Sequence, residues 1–399
     1  MICEEVRLCD QDLSASRRAR LRPSRTSRPP SPAASPVTDS LPSTPMRSIF
    51  VGPEDPTWVE TLADLHHDFY HLPAFVRFAS RRQEAGEAVA YVAEESGRRF
   101  FLPLIVRSVP ADIAGARSLW DAVSPRGYPG PLATGDEGPE SKRFVADAVR
   151  VMCSKLRDRG VVSAFIRLHP LLLPPLEPLR GAGEIVDHGD SVSIDLGLSP
   201  EELRRQTREN HRRDIKKATA TGYVARIDET WDRFDEFLEV YAQSMQRLGA
   251  SEVWSLSREY FCDLRETLGD AIRLCVVEWN GELAAAALLT EVDGIVEYNL
   301  AGTADRHVSA SPSKLVVDFA RWWARDRGDR ILHLAGSLRR GDPLSHFKLG
   351  FSHVVHPVYS WRLVTDPFIY EELVCRSAST AAPGRAADGF FPAYRADRS

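Results

Sequence analysis

Cysteine is scarce in this chain of 399 residues, and its spacing is uninformative. The six cysteines show no CxxC pair and no even framework. Zinc ribbons and disulfide-stapled scaffolds are therefore excluded, and we expect reduced thiols in a cytoplasmic protein with no metal site. No apolar run approaches the ~20 residues that a membrane-spanning helix needs. The sequence also lacks a P-loop and a Ser-His-Asp signature.

Basic residues do not dominate the composition either. The formal net charge is −5, so any contact with nucleic acid would need a local basic patch. Lysine is rare, with six among the 51 basic residues. The hydrophobic content of 43% is enough for a real core, and the length allows two domains of ordinary size.

Both ends of the chain lack core-forming residues. Residues 1–45 are rich in arginine, proline and serine, and little apolar burial is available to offset the entropy of ordering them. We expect a disordered extension there, with Met46 as the natural start, and a chain beginning at Met46 should keep its melting temperature and activity. Residues 377–399 are rich in alanine, proline and glycine and are expected to form a flexible tail.

The strongest helix signal lies between Ser199 and Gly222. Ser199 and Glu202 form a capping box around Pro200, and Gly222 can adopt the left-handed conformation that ends a helix. The predicted helix carries seven basic residues, and its apolar face is only a narrow stripe. A solvated helix face and a surface for a polyanion such as tRNA, or for a substrate diphosphate, both fit this pattern. The candidate phosphate contacts are Arg208, Arg212, Arg213, Lys216 and Lys217.

The order of predicted elements is the same in the two halves of the chain. Residues 46–197 and 198–376 each show two helices, a three-strand meander, and then alternating helices and strands. Asn280-Gly281 and Asp293-Gly294 are type I′ hairpin dipeptides, and Ser96-Gly97 predicts a further turn. This order predicts an α/β (α+β type) fold with two tandem GNAT-like N-acyltransferase subdomains. We expect mixed, mainly antiparallel sheets, with the basic helix bridging the two units.

Several segments taken together resemble the Fem-type branch of the GNAT superfamily, over roughly residues 50–370. These segments are NHRRDIKKATATG in the basic helix, YNLAGT followed by SPSKLVVDFARWWARDRG, and LHLAGSLRRGDPLSHFKLGF. The first-half segment WDAVSPRGYPGPL is also similar to one in the family, but Arg126 stands where the family usually has a tyrosine. The resemblance implies amide-bond formation, in which an aminoacyl group moves from a charged tRNA to an amine on a cell-wall precursor or small metabolite.

The resemblance also implies catalytic residues. Lys348, in the Phe-Lys pair before Gly-Phe, looks like the position that supports the reacting ester. Aminolysis of an ester needs a cation for the developing oxyanion, and this rare lysine can supply it. Phe347 could form a wall of the acyl pocket. No general base is evident, although His333 and His346 lie nearby in sequence.

Four further residues are candidate substrate contacts. Arg247 is similar to a family contact with a substrate phosphate, and Tyr298 lies on a strand that carries substrate contacts in GNAT folds. Asp121 and Tyr128 flank the Ser-Pro-Arg-Gly-Tyr turn. A half-buried strand tyrosine with a structural role is an equally good interpretation of Tyr298.

The donor remains open between two kinds of molecule. An acyl-CoA donor calls for a glycine-rich loop whose backbone N–H groups hold the pyrophosphate. In that place the sequence has RHVSAS (306–311), where Ser309 and Ser311 replace the small residues. We therefore expect aminoacyl-tRNA as co-substrate, with no bound cofactor, and keep acyl-CoA as the alternative. A catalytically inactive RNA-binding module is a third hypothesis, and it would not need Lys348.

Overall fold

The computed structural model of the protein describes residues 45–251, 254–336, 341–380 and 389–396. The predicted extension at residues 1–44 lies outside the described residues and stays a prediction. Among the described helices, none has the length and apolar character required to cross a membrane.

The described residues of the first half, from residue 45 onward, form seven strands, five helices and a single turn of 3-10 helix at Phe69–His71. Pro56, Pro73 and Pro139 each occupy the first helical position, where the missing N–H costs nothing. The elements are β1 (Arg47–Val51), α1 (Pro56–Leu62), α2 (Pro73–Arg82), β2 (Glu87–Glu95), β3 (Arg98–Ser108), α3 (Ala111–Ala114), β4 (Trp120–Val123), β5 (Leu132–Ala133), α4 (Pro139–Asp158), β6 (Val161–Arg167), α5 (Leu176–Ala182) and β7 (Glu184–Asp195).

The second half follows the predicted order of helices, meander, helix and strand. Ser257 caps α9 as predicted, since its side chain accepts the Tyr260 N–H. The elements are α6 (Pro200–Gln206), α7 (Glu209–Ala220), β8 (Val224–Ile227), α8 (Phe234–Arg247), α9 (Arg258–Leu268), β9 (Ile272–Trp279), β10 (Glu282–Val292), β11 (Ile295–Thr303), α10 (Pro312–Arg327), β12 (Ile331–Gly336), α11 (Pro343–Lys348), β13 (Val354–Val364) and α12 (Pro367–Thr380).

The thirteen strands in the described part of the chain belong to one mixed sheet. Twelve follow the order β1-β2-β3-β4-β6-β13-β7-β12-β11-β10-β9-β8, and β5 pairs with β3. The two halves exchange strands at the centre: β13, the last strand, pairs with β6 of the first half, while β7 pairs with β12 of the second. This exchange joins the halves through backbone hydrogen bonds. The predicted α/β fold with mainly antiparallel pairing is confirmed.

Two parallel strand pairs flank the exchanged strands. β4 pairs with β6, and β11 pairs with β12, while the other pairs are antiparallel. The β11–β12 pairing ends at Glu297 opposite His333. Beyond that point Leu300 and Ala335 have positive φ angles of 40° and 59°, and the register of β12 against β7 shifts. The two strands therefore separate just after Glu297 and His333.

The predicted hairpin turns are confirmed. Asn280-Gly281 and Asp293-Gly294 have positive φ at both positions, as a type I′ turn requires. Ser96-Gly97 has the same geometry. These turns fix the β2–β3 hairpin and the β9–β10–β11 meander.

The prediction of one continuous basic helix is wrong. Its capping box at Ser199 is present, but the helix stops at Gln206 and a second begins at Glu209. Tertiary contacts break it: the hydroxyl of extended, buried Thr207 accepts a hydrogen bond from Arg321 at 2.6 Å, and the Arg208 N–H donates to the Gly350 carbonyl. Both helices pack on the second-half core through Leu203 and Ala218.

Part of the expected tail is ordered against the body. α12 continues to Thr380, and residues 389–396 return to the first half. Tyr394 is fully buried, where its hydroxyl lies 2.8 Å from that of Ser163. Residues 381–388 and 397–399 lie outside the described residues.

Candidate active site

A buried group of polar side chains lies where the two halves meet. Each member is at most 3% exposed, in a region otherwise filled by apolar residues. Polar side chains are costly to bury unless they form hydrogen bonds with one another, so the arrangement of this group needs an explanation. We call this group the central cluster; its members are Asp68, Tyr128, His169, Glu297, His333 and Lys348.

The first half contributes Asp68 and His169 as a hydrogen-bonded pair. Asp68 caps the 3-10 turn that follows it, and its Oδ2 lies 3.1 Å from Nε2 of His169. The Leu171 N–H donates to Nδ1 of His169 at 3.2 Å, which places the imidazole proton on Nε2. His169 is therefore a donor to Asp68.

The second half contributes Glu297 and His333, which are paired across β11 and β12. Glu297 Oε1 lies 2.5 Å from Nδ1 of His333. Among the described residues, the other atom of each side chain, Glu297 Oε2 and His333 Nε2, has no hydrogen-bond partner. A fully buried carboxyl and imidazole thus each present an unused polar atom where the strands separate.

Lys348, the last residue of α11, turns its side chain inward. Its ammonium donates to the Gly336 carbonyl, while the Gly336 N–H donates to the Tyr128 hydroxyl at 3.0 Å. A Cβ at position 336 would lie 3.1 Å from that hydroxyl, so glycine permits the close approach. The end of β12 is therefore held by Lys348 from the second half and by Tyr128 from the first half.

Burial shifts the protonation equilibria of the cluster. Desolvation lowers the pKa of Lys348 from its usual 10.5 to about 7. Desolvation, followed by the neighbouring charge of Asp68, raises the pKa of Glu297 well above its ordinary value. The pKa of His333 is lowered well below 6.5, by burial first and then by His169 and Lys348. Perturbed groups of this kind are typical of functional sites.

Three cluster residues are close enough to surround a cation. One ligand atom from each of Asp68, His169 and Glu297 lies within 4.8 Å of the others. The lone pair of His169 Nδ1 is already used by the Leu171 N–H, so Nε2 carries a proton and cannot ligate a metal at the same time. We therefore assign Asp68 and His169 to a hydrogen-bonded pair, beside which Glu297 lies.

Of the residues predicted from sequence, Lys348 and Tyr128 lie in the central cluster. Phe347 points away from it and packs against His211 and Phe351, with ring centroids 5.8 and 5.5 Å apart, on the second-half core. The predicted wall role of Phe347 stays a prediction.

The other three predicted contacts lie elsewhere. Tyr298 is buried in the second-half core, next along β11 from Glu297. Arg247 pairs with Asp305 beside an open groove of about 560 Å³. Asp121 is fully buried and pairs with Arg107 and with the returning C-terminal segment.

Sequence reasoning missed Asp68, His169 and Glu297, and it left His333 without a role. Asp68 lies in the His-rich segment HHDFYH, and Glu297 is a lone acid in the apolar strand IVEYNLAG. An acid inside a buried strand needs a partner, and that signal was available. The pairing with a histidine 36 residues away was not.

The predicted phosphate contacts lie on α7 and at its start. Four of the five are exposed: Arg212, Arg213, Lys216 and Lys217. Arg212 also donates to the carbonyl groups of Arg204 and Thr207 and closes α6. Arg208 is half-buried and donates to the His346 carbonyl, two residues before Lys348, so the cationic surface is connected to the segment that carries Lys348.

A small cavity of about 70 Å³ adjoins the central cluster. Phe69 and Tyr70, which follow Asp68, form one side, and Asn299, two residues after Glu297, lies on the other. Arg126, which replaces the expected tyrosine, also lines it. The cavity lies between the halves and is mainly apolar.

Comparison with known proteins identifies the catalytic class. Residues 205–348, which include Glu297, His333 and Lys348, match the family model of a GNAT acetyltransferase domain. Residues 205–348 therefore form a GNAT-type acyltransferase domain. The matched segment ends at Lys348, so three of the six cluster residues of this acyltransferase fall inside the family's own domain. No curated protein matches the sequence.

The fold of the acyltransferase resembles that of FemX. The FemX crystal structure superposes with a TM-score of 0.62 at 11% identity, covering 81% of this chain and 98% of that one. The C-terminal domain of a putative lysylphosphatidylglycerol synthetase from Agrobacterium fabrum gives a TM-score of 0.49 at 14% identity, with coverage of 81% and 96%. The FemX likeness shows a Fem-type tandem GNAT fold, as the sequence motifs predicted.

Proposed function

We propose that this acyltransferase forms an amide bond by moving an aminoacyl group from a charged tRNA to an amine. The observation that carries the proposal is Lys348, a buried ammonium held where β11 and β12 separate. In a dry site, a fixed cation stabilises a developing oxyanion far more than it would in water. The acceptor would be a small metabolite or a cell-wall precursor with a free amino group.

The reaction fits the charges in the site. Attack of the amine on the ester carbonyl carbon forms the C–N bond and moves an electron pair onto oxygen. Lys348 then faces a negative charge that exists only in the intermediate and in the transition states that flank it. Such an interaction raises the rate with little effect on substrate binding. The adjoining cavity at Tyr70 and Asn299 offers an apolar place for the aminoacyl side chain.

Radiolabel transfer tests the donor directly. The protein is incubated with a pool of tRNAs charged with labelled amino acids, or with labelled acetyl-CoA, and with a panel of primary amines. We expect label in an acid-stable, base-stable product from the charged tRNA, and loss of that product after RNase treatment. Transfer from acetyl-CoA that is insensitive to RNase would overturn the tRNA proposal.

The exposed face of α7 is proposed to contact tRNA phosphates. Arg213, Lys216 and Lys217 are the residues to replace by glutamine, because Arg212 stabilises the end of α6. We expect weaker tRNA binding, with the slope of log affinity against log salt reduced by up to ~0.9 for each lost phosphate contact. Filter binding between low and moderate salt measures both quantities.

A charge-matched variant controls for net charge. Arg81, Arg150 and Arg180 are exposed on α2, α4 and α5 of the first half, and their replacement by glutamine removes the same charge. This variant should bind tRNA with the wild-type salt slope. Equal slopes in all three proteins would mean that α7 is an ordinary solvated helix.

The groove at Arg247 supports acyl-CoA as a second candidate donor. Its lining includes Arg247 and Val308, and it lies beside the 3-10 helix that precedes α10. That segment contains no glycine, and Ser311 adopts a left-handed conformation with φ of 55°. Close backbone approach to a pyrophosphate is harder without glycine, so this donor ranks second. Saturable binding of CoA, abolished by Arg247→Ala, would favour it.

A further inference from the structure

The proposed reaction needs a group that moves a proton, and sequence reasoning found none. Attack by a neutral amine leaves a positive nitrogen in the intermediate, while the departing ribose oxygen must gain a proton. One side chain placed between these atoms can serve both steps. General acid–base catalysis of this kind typically contributes about 10²–10⁴-fold to the rate.

Within the described residues of the central cluster, His333 has the free atom that this task needs. Its Nδ1 is bound to Glu297, and its Nε2 is buried without a hydrogen-bond partner. His169 differs, because both of its ring nitrogens are occupied, by Asp68 and by the Leu171 N–H. An orphaned polar atom in a native interior calls for an explanation, and a substrate group that binds there is one.

We infer that His333 is the catalytic acid–base of this enzyme and that Glu297 is its positioning residue, an inference that rests on the proposed amide-forming function. The two side chains face each other at the last paired position of β11 and β12. Lys348 reaches the carbonyl of Gly336, three residues after His333. Lys348, the cation for the oxyanion, and His333, which carries the proton, are thus both placed where β11 and β12 separate.

The proton balance follows from the short Glu297–His333 contact. One proton lies between Oε1 and Nδ1, which are 2.5 Å apart. Nε2 can accept a proton as the shared proton moves toward Oε1, and it can donate that proton as the shared one moves back toward Nδ1. Nε2 takes the proton from the attacking nitrogen after the C–N bond forms. It then gives this proton to the ribose oxygen as the C–O bond breaks, and the products are an amide and the free tRNA hydroxyl. Bulk water is excluded from Nε2 and does not compete for the proton.

His333→Asn tests the assignment with little disturbance to the fold. The asparagine amide can keep an N–H near the position of Nδ1 for Glu297, but it has no equivalent of Nε2. With a primary alkyl amine as acceptor, we expect turnover to fall by about 10²–10⁴-fold. With hydroxylamine, whose adduct nitrogen is more acidic and gives up its proton without a strong base, part of the loss should be recovered once the enzyme-free rate is subtracted. Glu297→Gln should show an intermediate loss with the same dependence on the acceptor.

His356→Asn is the matched control, because His356 is a half-buried histidine on β13, which β7 separates from β12, and it bonds to Ser193. It should keep the wild-type rate with both acceptors. Equal losses for both acceptors in His333→Asn, with a lower unfolding midpoint, would overturn the inference and make His333 a structural link between the halves. If product forms from acyl-CoA and not from charged tRNA, only the proposed donor is overturned. An amine attacks either donor, and His333 would move the proton in both reactions.

Discussion

Replacing Lys348 by methionine should lower the turnover rate by about 10²–10³, which corresponds to roughly 2.7–4 kcal/mol of transition-state stabilisation. Methionine keeps a long apolar stem in the same buried space and removes the charge. The apparent affinity for the substrates should change much less, because the cation acts on a charge that the ground state lacks. Single-turnover and steady-state rates, measured with the donor that the radiolabel assay identifies, separate the two effects.

Lys348→Arg is a second test of the same contact. A planar guanidinium has a different shape from a compact ammonium, and Lys348 is only 2% exposed, so the site leaves little room for the larger group. We therefore expect poor rescue by arginine even though the charge returns. Near-normal turnover of the methionine variant would assign Lys348 to the structure alone, and the proposed function would then depend on the fold and on α7.

The pH dependence of stability provides a check that needs no substrate. Lys348 has a pKa of about 7 in the folded protein and an ordinary value near 10.5 when unfolded. Between these values the unfolded chain binds more protons, so the free energy of unfolding should rise as the pH rises from about 7 to about 10. Below pH 7 the lysine is charged in both states. The Lys348→Met variant should lack the part of this rise that Lys348 contributes, as urea titrations at several pH values would show.

Local signals explain why much of the fold could be predicted. The Ser199 capping box and the Asn280-Gly281 and Asp293-Gly294 turns depend on neighbours within four residues, and all are present in the structure. The exchange of β7 and β13 depends on pairings between residues more than 130 positions apart, and hydrophobic patterns do not specify such partners. The break at Thr207 likewise depends on Arg321, which the helix pattern cannot reveal.

The candidate site likewise contains residues that a local segment reveals and residues that only the folded chain brings together. Lys348 was found because a family segment surrounds it, but no local pattern indicates that its ammonium is buried. Asp68 and His169 are 101 residues apart and come from different elements, so their bond exists only in the folded chain. Asp121 shows the converse case, because it was expected to contact substrate from its place in a family segment, and the folded chain places it under the C-terminal segment.

Asp121→Asn should therefore act mainly on stability. The fully buried carboxylate accepts from Arg107 at 2.9 Å and pairs with Arg395, whose side chain is also largely covered. Asparagine keeps the shape but leaves two guanidinium groups without their shared anion. Removing one partner from a buried ion pair typically costs about 3–5 kcal/mol, although Glu84 remains beside Arg107 and can offset part of this. The urea midpoint of unfolding measures the loss.

The control for this experiment is Asp235→Asn. Asp235 pairs with Arg258 on the surface, where the side chains are 70% and 55% exposed, and exposed pairs are worth only about 0–1 kcal/mol. Its urea midpoint should stay close to that of the wild type. If Asp121→Asn instead keeps the wild-type midpoint and loses turnover, Asp121 contacts substrate as the sequence predicted. A lower midpoint with normal turnover at permissive temperature assigns it to the joint that anchors the C-terminal segment, because a lost structural ion pair weakens the fold without touching the reacting atoms.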